Sequence, residues 1–132
     1  MAKKIGDRKY KTLKRLLDEV FSQFIRQRDT GPNGFGSCIS CGQTTHYSQG
    51  DAGHYITRGR LSTRWDERNV NFQCRACNRF PDMSIGRKYA KNLDIKYGAG
   101  MAEKLESDSK FPVKFKTFEL QDKLEYYKSN LH

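Results

Sequence analysis

Four cysteines, Cys38, Cys41, Cys74 and Cys77, are the only ones in the sequence, and they form two C-x-x-C pairs separated by 32 residues. A C-x-x-C turn brings two thiolates to one ion, and two such turns complete a tetrahedral shell. One zinc bound by all four is expected. With every position taken by sulfur no place is left for water, so this zinc is structural. Between the pairs stand Asp51, His54 and Asn69, and Asn78 directly follows the last Cys. Hydrolysis of a phosphodiester needs a base to take a proton from water and a cation to offset charge on the phosphate and leaving oxygen. A His supplies the base near neutral pH. A carboxylate and an amide oxygen suit Mg²⁺ or Mn²⁺. The set therefore offers His54 as general base and Asp51 with Asn78 as ligands of a second, catalytic divalent metal. Because Asn78 adjoins Cys77, the zinc is expected to hold a catalytic ligand in place as well as the fold.

The elements that must position these residues belong to a chain of 132 residues, 36% hydrophobic and 30% charged. That length predicts a single domain, and so small a core favours a metal staple. The sequence starts M-A-K-K with no apolar leader, so no signal peptide is expected, and no apolar run approaches the ~20 residues of a membrane span. A reducing cytoplasm, where thiolates stay available for metal, is the compartment this implies. The net charge is +10. Residues 1–28 and 55–91 each carry nine basic and three acidic side chains, flanking the Cys/His stretch. Such an excess is either a solubilising surface or a seat for a polyanion, most commonly nucleic acid.

Residues 1–9 are basic and expected to fray. Apolar residues at Tyr10, Leu13, Leu16, Leu17, Val20, Phe21, Phe24 and Ile25 predict an amphipathic helix from about Asp7, as its N-cap, to about Arg28, within an N-terminal segment 1–31. The opposite face carries Lys11, Lys14, Arg15 and Arg26. The stripe either covers the core or forms a dimer seam. The zinc core is placed at 37–80, with Gly42 turning the backbone toward the metal, His54 on a strand within 50–57, a basic loop at 58–68, a strand or turn at 69–73 and a helix beginning at the second Cys pair. Helices are predicted at 84–97, 101–107 and from Thr117 as cap onward. The expectation is an α+β fold, mostly helical outside the core.

The order C-x-x-C, then His54 on a strand, then Asn69 five residues before the second C-x-x-C, then Asn78 directly after it resembles the HNH, or ββα-metal, nucleases. The resemblance implies a zinc-stapled ββα-metal core with flanking helices, making residues 1–132 one HNH-type nuclease domain. It makes His54 the general base, Asn69 the brace of the loop that orients it, and Asn78 a metal ligand. The C-x-x-C-N ending is similar to that of phage recombination endonuclease VII, a four-way-junction resolvase with Asn at that place. The strings C-I-S-C-G, D-A-G-H-Y-I-T, R-W-D-E-R-N-V and Q-C-R-A-C-N carry a fuller likeness, over about residues 20–80, to the phage NinG (Rap) recombination proteins. It implies a structure-specific endonuclease acting on Holliday junctions and D-loops, in the host cytoplasm if phage-encoded. Relative to that family, a longer basic N-terminal region with further cysteines is absent from the sequence. In many HNH enzymes a carboxylate directly precedes the His, whereas Gly53 does here, so Asp51 reaches the metal only if its strand is bulged.

Arg58, Arg60, Arg75 and Arg79 are candidate phosphate contacts. Trp65 is a core residue or a wedge at a DNA branch, and His46 is a surface residue. Symmetric nicking of a junction requires a twofold homodimer. A less selective HNH nicking endonuclease and a non-catalytic zinc-ribbon DNA-binding protein are the alternatives. Only the second has no use for His54 with Asn78.

Overall fold

The apolar stripe of the N-terminal helix α1 (Ile5–Arg28) organises the largest core. Leu13, Leu17, Phe21 and Ile25 are buried against Leu120, Leu124 and Tyr127 of the last helix, with Trp65 and Val70 completing the cluster. The Phe21 and Tyr127 rings meet edge-on at 4.8 Å. The stripe that a dimer seam would use is thus packed within the chain.

The computed structural model describes residues 5–132. After α1 come β1 (Phe35–Ser37), β2 (Thr44–His46), a 3-10 turn (Tyr47–Gln49), β3 (Gly50–His54), α2 (Leu61–Arg64), β4 (Val70–Cys74), α3 (Arg75–Arg79), α4 (Met83–Tyr97), α5 (Met101–Ser109) and α6 (Thr117–Ser129). The fold is a mixture of helices and small sheets, with helix predominating. Among the described residues no helix is long and apolar enough to cross a membrane.

Both sheets are antiparallel two-stranded ribbons, β1–β2 and β3–β4. The β3–β4 register is regular, pairing Gly50 with Cys74, Asp51 with Gln73, Ala52 with Phe72, Gly53 with Asn71 and His54 with Val70. A two-stranded ribbon is not stable alone in water. Here α1 covers the face carrying Ala52 and Val70. On the other face Tyr89 of α4 donates its hydroxyl to the Gly53 carbonyl at 2.6 Å, and Asn78 of α3 contacts Asp51. Tyr89 and Leu93 of α4 form a second core with Ala102 and Leu105 of α5.

Three boundaries differ from expectation. The backbone is already helical at Ile5, so Asp7 lies inside α1; one Gly, costing about 1 kcal/mol, does not end a helix whose later turns are packed. Of residues 1–9, expected to fray, 1–4 lie outside the described residues and the rest belong to α1. At the other end Lys116 is the N-cap of α6 and Thr117 its first residue. Glu119 reaches back to accept the Lys116 N–H at 2.9 Å, so the reciprocal bond from the third helical residue, and not a Thr117 hydroxyl, marks this helix start.

Candidate active site and metal centre

The four sulfurs converge from three elements. Cys38 and Cys41 lie in the turn after β1, Cys74 ends β4, and Cys77 lies in α3. Gly42 takes φ 79°, the left-handed conformation the turn needs. All four Sγ atoms lie within 4.8 Å of one another, and the Cys41–Cys74 pair is 3.8 Å apart. A tetrahedral zinc with bonds of about 2.3 Å separates its sulfurs by about 3.8 Å, so the residues fit a structural metal such as zinc. None of the four is in a disulfide. The Cys41 N–H points at Cys38 Sγ at 3.5 Å, support that a thiolate uses and a disulfide does not. Burial pushes the Cys77 and Cys74 thiols up, and the neighbouring sulfurs add to this for Cys77. Burial also opposes ionisation of Cys38, but backbone N–H groups of Cys41, Cys74 and Ser40 outweigh it and bring that thiol down. A bound cation relieves the crowding of the four thiolates.

Next to this centre a cleft of about 480 Å³ runs along β3, between α1 and α3. Asp51 and His54 of β3, Asn78 and Arg79 of α3, Asp18 of α1 and Arg58 of the loop after β3 all line it. The ribbon has no bulge. Alternation along a strand therefore puts Asp51 on the α3 face and His54 on the α1 face, and the cleft wraps the strand edge between them. The expected bulge is not what brings Asp51 to the site. A carboxylate directly before His54 would require the Gln73 side chain to move, because a Cβ at Gly53 would meet Gln73 Oε1.

His54 Nε2 lies 2.9 Å from the Arg64 carbonyl. A carbonyl only accepts, so Nε2 carries the proton and Nδ1 is left with its lone pair. Burial lowers the His54 pKa from 6.5 to about 4; the Arg64 carbonyl and Asp18 raise it and Arg58 and Arg64 lower it, without reversing the effect of burial. The imidazole is neutral at neutral pH. The Asp51 carboxylate accepts from Asn78 Nδ2 at 3.0 Å and from Arg79 Nε and Nη2 at 3.1 and 3.3 Å. Asn78 Oδ1 faces Gly53.

Asn69 lies outside the cleft, wholly buried. Its amide donates to the Ile56 and Thr63 carbonyls, each at 3.0 Å, and its Oδ1 accepts the Ile56 N–H at 2.8 Å. It thereby fixes the loop that supplies the Arg64 carbonyl. Of the four arginines read as phosphate contacts, Arg58 and Arg79 line the cleft. Arg60 does not; it sits with Phe111 and Pro112 at another surface, because α2 turns the chain away after Gly59. Arg75 is held by the Ser48 carbonyl and Gln49, also outside the cleft lining. Trp65 is core, and its Nε1 donates to Asp18 at 3.0 Å. His46 is exposed, with Nδ1 2.8 Å from Ser48 Oγ.

Two residues of the site are not among those the sequence singles out. Asp18 accepts from Arg64 Nη2 at 2.6 Å and so anchors the residue whose carbonyl orients His54. No local pattern marks it, since Glu19 beside it is equally acidic. Tyr89 of α4 donates its hydroxyl to Gly53 O at 2.6 Å and lies 3.3 Å from Asn69 O, tying the strand end to the brace.

No solved structure matches the chain. Among curated proteins, Protein ninG of Salmonella phage P22 is 37% identical over 93 residues, covering 70% of this chain and 43% of that protein. Protein ninG of Escherichia phage lambda is 34% identical over 91 residues, covering 68% and 42%. The chain thus matches less than half the length of these relatives. The family model described as Bacteriophage Lambda NinG protein matches residues 2–132. The chain belongs to the phage NinG family.

Proposed function

We propose that the chain is a metal-dependent endodeoxyribonuclease of the HNH type, acting on branched recombination intermediates such as four-way junctions and D-loops. The observation that carries this reading is the cleft in which neutral His54, Asp51, Asn78, Arg58 and Arg79 meet. Asp51 and Asn78 would hold a hard cation such as Mg²⁺ or Mn²⁺ through a carboxylate and an amide oxygen, once the Asn78 amide, which donates Nδ2 to Asp51, turns its oxygen to the same side. Such a cation, when bound, offsets charge on the phosphate and on the leaving oxygen.

The chain's own residues supply the rest. The Nδ1 lone pair of His54 takes a proton from the attacking water, while the Arg64 carbonyl holds the ring by its other nitrogen. The water oxygen bonds to phosphorus, the P–O bond to the leaving oxygen breaks, and that oxygen recovers a proton from solvent. Arg58, exposed at the cleft, offers its fork to a phosphate oxygen. Arg79 has the same alternative to Asp51, which frees the carboxylate. Asn69 and Asp18 keep the Arg64 carbonyl in place. The four-cysteine centre, with zinc, fixes Asn78 through Cys77. Paired nicks across a junction require a twofold homodimer, and since α6 covers the α1 stripe, its seam lies elsewhere. The four thiols suit a reducing compartment, the host cytoplasm.

The test compares a four-way junction with a linear duplex of the same sequence in Mg²⁺. Paired nicks confined to the junction are expected, with a dimer on the DNA in sedimentation. Equal cutting of both substrates would reduce the assignment to a non-selective HNH nickase. Binding with no cutting in Mg²⁺ or Mn²⁺ would leave a zinc-stapled DNA-binding protein.

A further inference from the structure

Trp65 is 5% exposed, so it cannot reach a base. A different aromatic ring stands in the place a branch-point wedge would need. Phe80 is 77% exposed and Met83 78% exposed, and between them lie Pro81 and Asp82. Burying such side chains is favourable by about 25 cal/mol per Å², so their display on a firm turn calls for an occupant.

The turn is firm for identifiable reasons. It begins three residues after Cys77 of the four-cysteine centre, and the Phe80 N–H donates to the Ala76 carbonyl at 3.0 Å. At its far end Asp82 caps α4, accepting the Ile85 N–H at 2.8 Å. The turn also adjoins the candidate active site. Arg79 and Asn78, one and two residues before Phe80, line the cleft. Pro81 and Asp82 line a smaller cavity of about 150 Å³ that shares His54 and Asn78 with it. The charges divide by side. Arg79 directly precedes the ring on the cleft side, where its side chain is 55% exposed and its partner Asp51 belongs to the candidate site. Asp82 is engaged as the cap. On the far side Met83 and Arg87 share a cavity with the acids Asp94, Glu103 and Glu106. An apolar ring beside a cleft arginine suits a partner with flat apolar faces on an anionic backbone, approached from the cleft. The other exposed aromatics lie elsewhere. Phe111, 67% exposed, stands with Arg60 at a surface away from the cleft. Phe35 packs on His46, Phe118 lies beneath Lys116, and Tyr126 meets Tyr127 edge-on.

We propose that Phe80, backed by Met83, is the residue that recognises a branch, stacking on a nucleobase face left uncovered at the branch point while Arg79 holds a flanking phosphate. This rests on the endonuclease reading and deepens it: Phe80 selects the substrate and His54 cuts it. Stacking needs a base face that no neighbouring base covers, which the branch point of a junction offers and a continuous duplex does not.

The experiment measures binding of wild type, Phe80→Ala and Phe80→Trp without added Mg²⁺. The probes are a four-way junction carrying 2-aminopurine at the branch point and a linear duplex of the same arms. Wild type is expected to change the 2-aminopurine fluorescence on binding. Phe80→Ala should weaken junction binding about tenfold, as for loss of one stacked base, erase the fluorescence change and leave duplex affinity within about twofold. Phe80→Trp should keep both signals. Unchanged junction affinity and fluorescence in Phe80→Ala would overturn this inference while leaving the nuclease reading intact. A DNA-free dimer that dissociates in Phe80→Ala would overturn it in favour of a second copy as occupant. Failure of wild type to bind either DNA would overturn the nuclease reading and this inference with it.

Discussion

Along the outer edge of β4, Asp29 Oδ2 accepts the Phe72 N–H at 3.0 Å and Arg28 Nη2 donates to the Val70 carbonyl at 3.0 Å. The Ile39 N–H takes the Phe72 carbonyl at 2.9 Å. Asp29 is held by Arg28 at 2.8 Å and Lys96 at 3.1 Å, and Lys96 also reaches Asn71 Oδ1 at 2.8 Å. Along β3 the same kinds of side chain, an Asp, an Arg and an Asn, border a solvent-filled cleft. The ion pair there, Arg79 with Asp51, has an arginine whose side chain is 55% exposed, against 24% for Arg28 and 12% for Asp29. Residue type does not separate scaffold from chemistry. Saturation and solvent do. At β4 each polar group completes another and covers a sheet edge that would otherwise invite pairing. At β3 the partners are exchangeable, as a site that takes up substrate requires.

The comparison can be broken from either side, and the four-cysteine centre underlies both edges. Cys77→Ser should lose metal and with it the packing of β4 and α3, since a structural zinc supplies folding free energy outright. The expected result is zinc below one per chain and no cooperative melt for the core. A wild-type melt without metal would mean that the edges do not depend on the centre.

Asp29→Ala comes next. It leaves Arg28 and Lys96 without their shared acid and should cost about 3 kcal/mol in urea unfolding. Asp51→Ala, the matching change at β3, should cost under about 1 kcal/mol, because an exposed pair contributes little, while cleavage is lost. Equal destabilisation by the two would erase the distinction between the edges.

Tyr89→Phe sharpens it. Burial pushes the Tyr89 hydroxyl far up, so it stays a donor, and its removal frees the Gly53 carbonyl at the His54 peptide. About 1 kcal/mol of stability should go. Cleavage should slow about tenfold, since small misplacements of a catalytic group are costly, with DNA affinity unchanged. A rate loss no greater than the loss of folded protein would make Tyr89 merely structural.

The smallest effect is on pH dependence. An ordinary His of pKa about 6.5 is only about 9% neutral at pH 5.5. His54, held near 4 by burial, stays neutral there, so the cleavage rate at pH 5.5 should remain within about twofold of that at pH 7.5. The stability sign follows from the same shift. The unfolded chain takes up a proton below about 6.5 and the folded one only near 4. Stability is therefore complete above 6.5 and falls as pH drops through that window. A tenfold fall in rate between pH 7.5 and 5.5 would contradict the burial of the base.

How much of this was legible in the sequence depends on range. The zinc ligands were, because C-x-x-C spacing is itself the local geometry of a metal turn. The stripe of α1 and the later helices were, because helical periodicity survives in a linear string. His54 on a strand was legible in the 50–57 stretch, and β3 ends at that residue; Asn69 as a brace came only from the family resemblance. Asp18 was not legible, because nothing near it in the chain indicates that α1 will lay it beside Arg64 and Trp65. Arg60 and Arg75 were read from charge alone, which does not say where α2 and the 3-10 turn will send them. A bulge is the expected condition for Asp51 to reach a metal because many HNH enzymes carry the carboxylate directly before the His, where Gly53 stands here; the ribbon is regular. The cleft instead wraps the strand edge.

The most direct test of the central claim, that the β3 edge cuts DNA while the rest of the molecule supports it, is single-turnover cleavage of a four-way junction in Mg²⁺ by zinc-loaded wild type and His54→Ala. Zinc content and junction affinity are measured on the same samples. The account predicts a loss of at least about a hundredfold in rate, with zinc retained and affinity within about twofold. Cleavage by His54→Ala at the wild-type rate would contradict it.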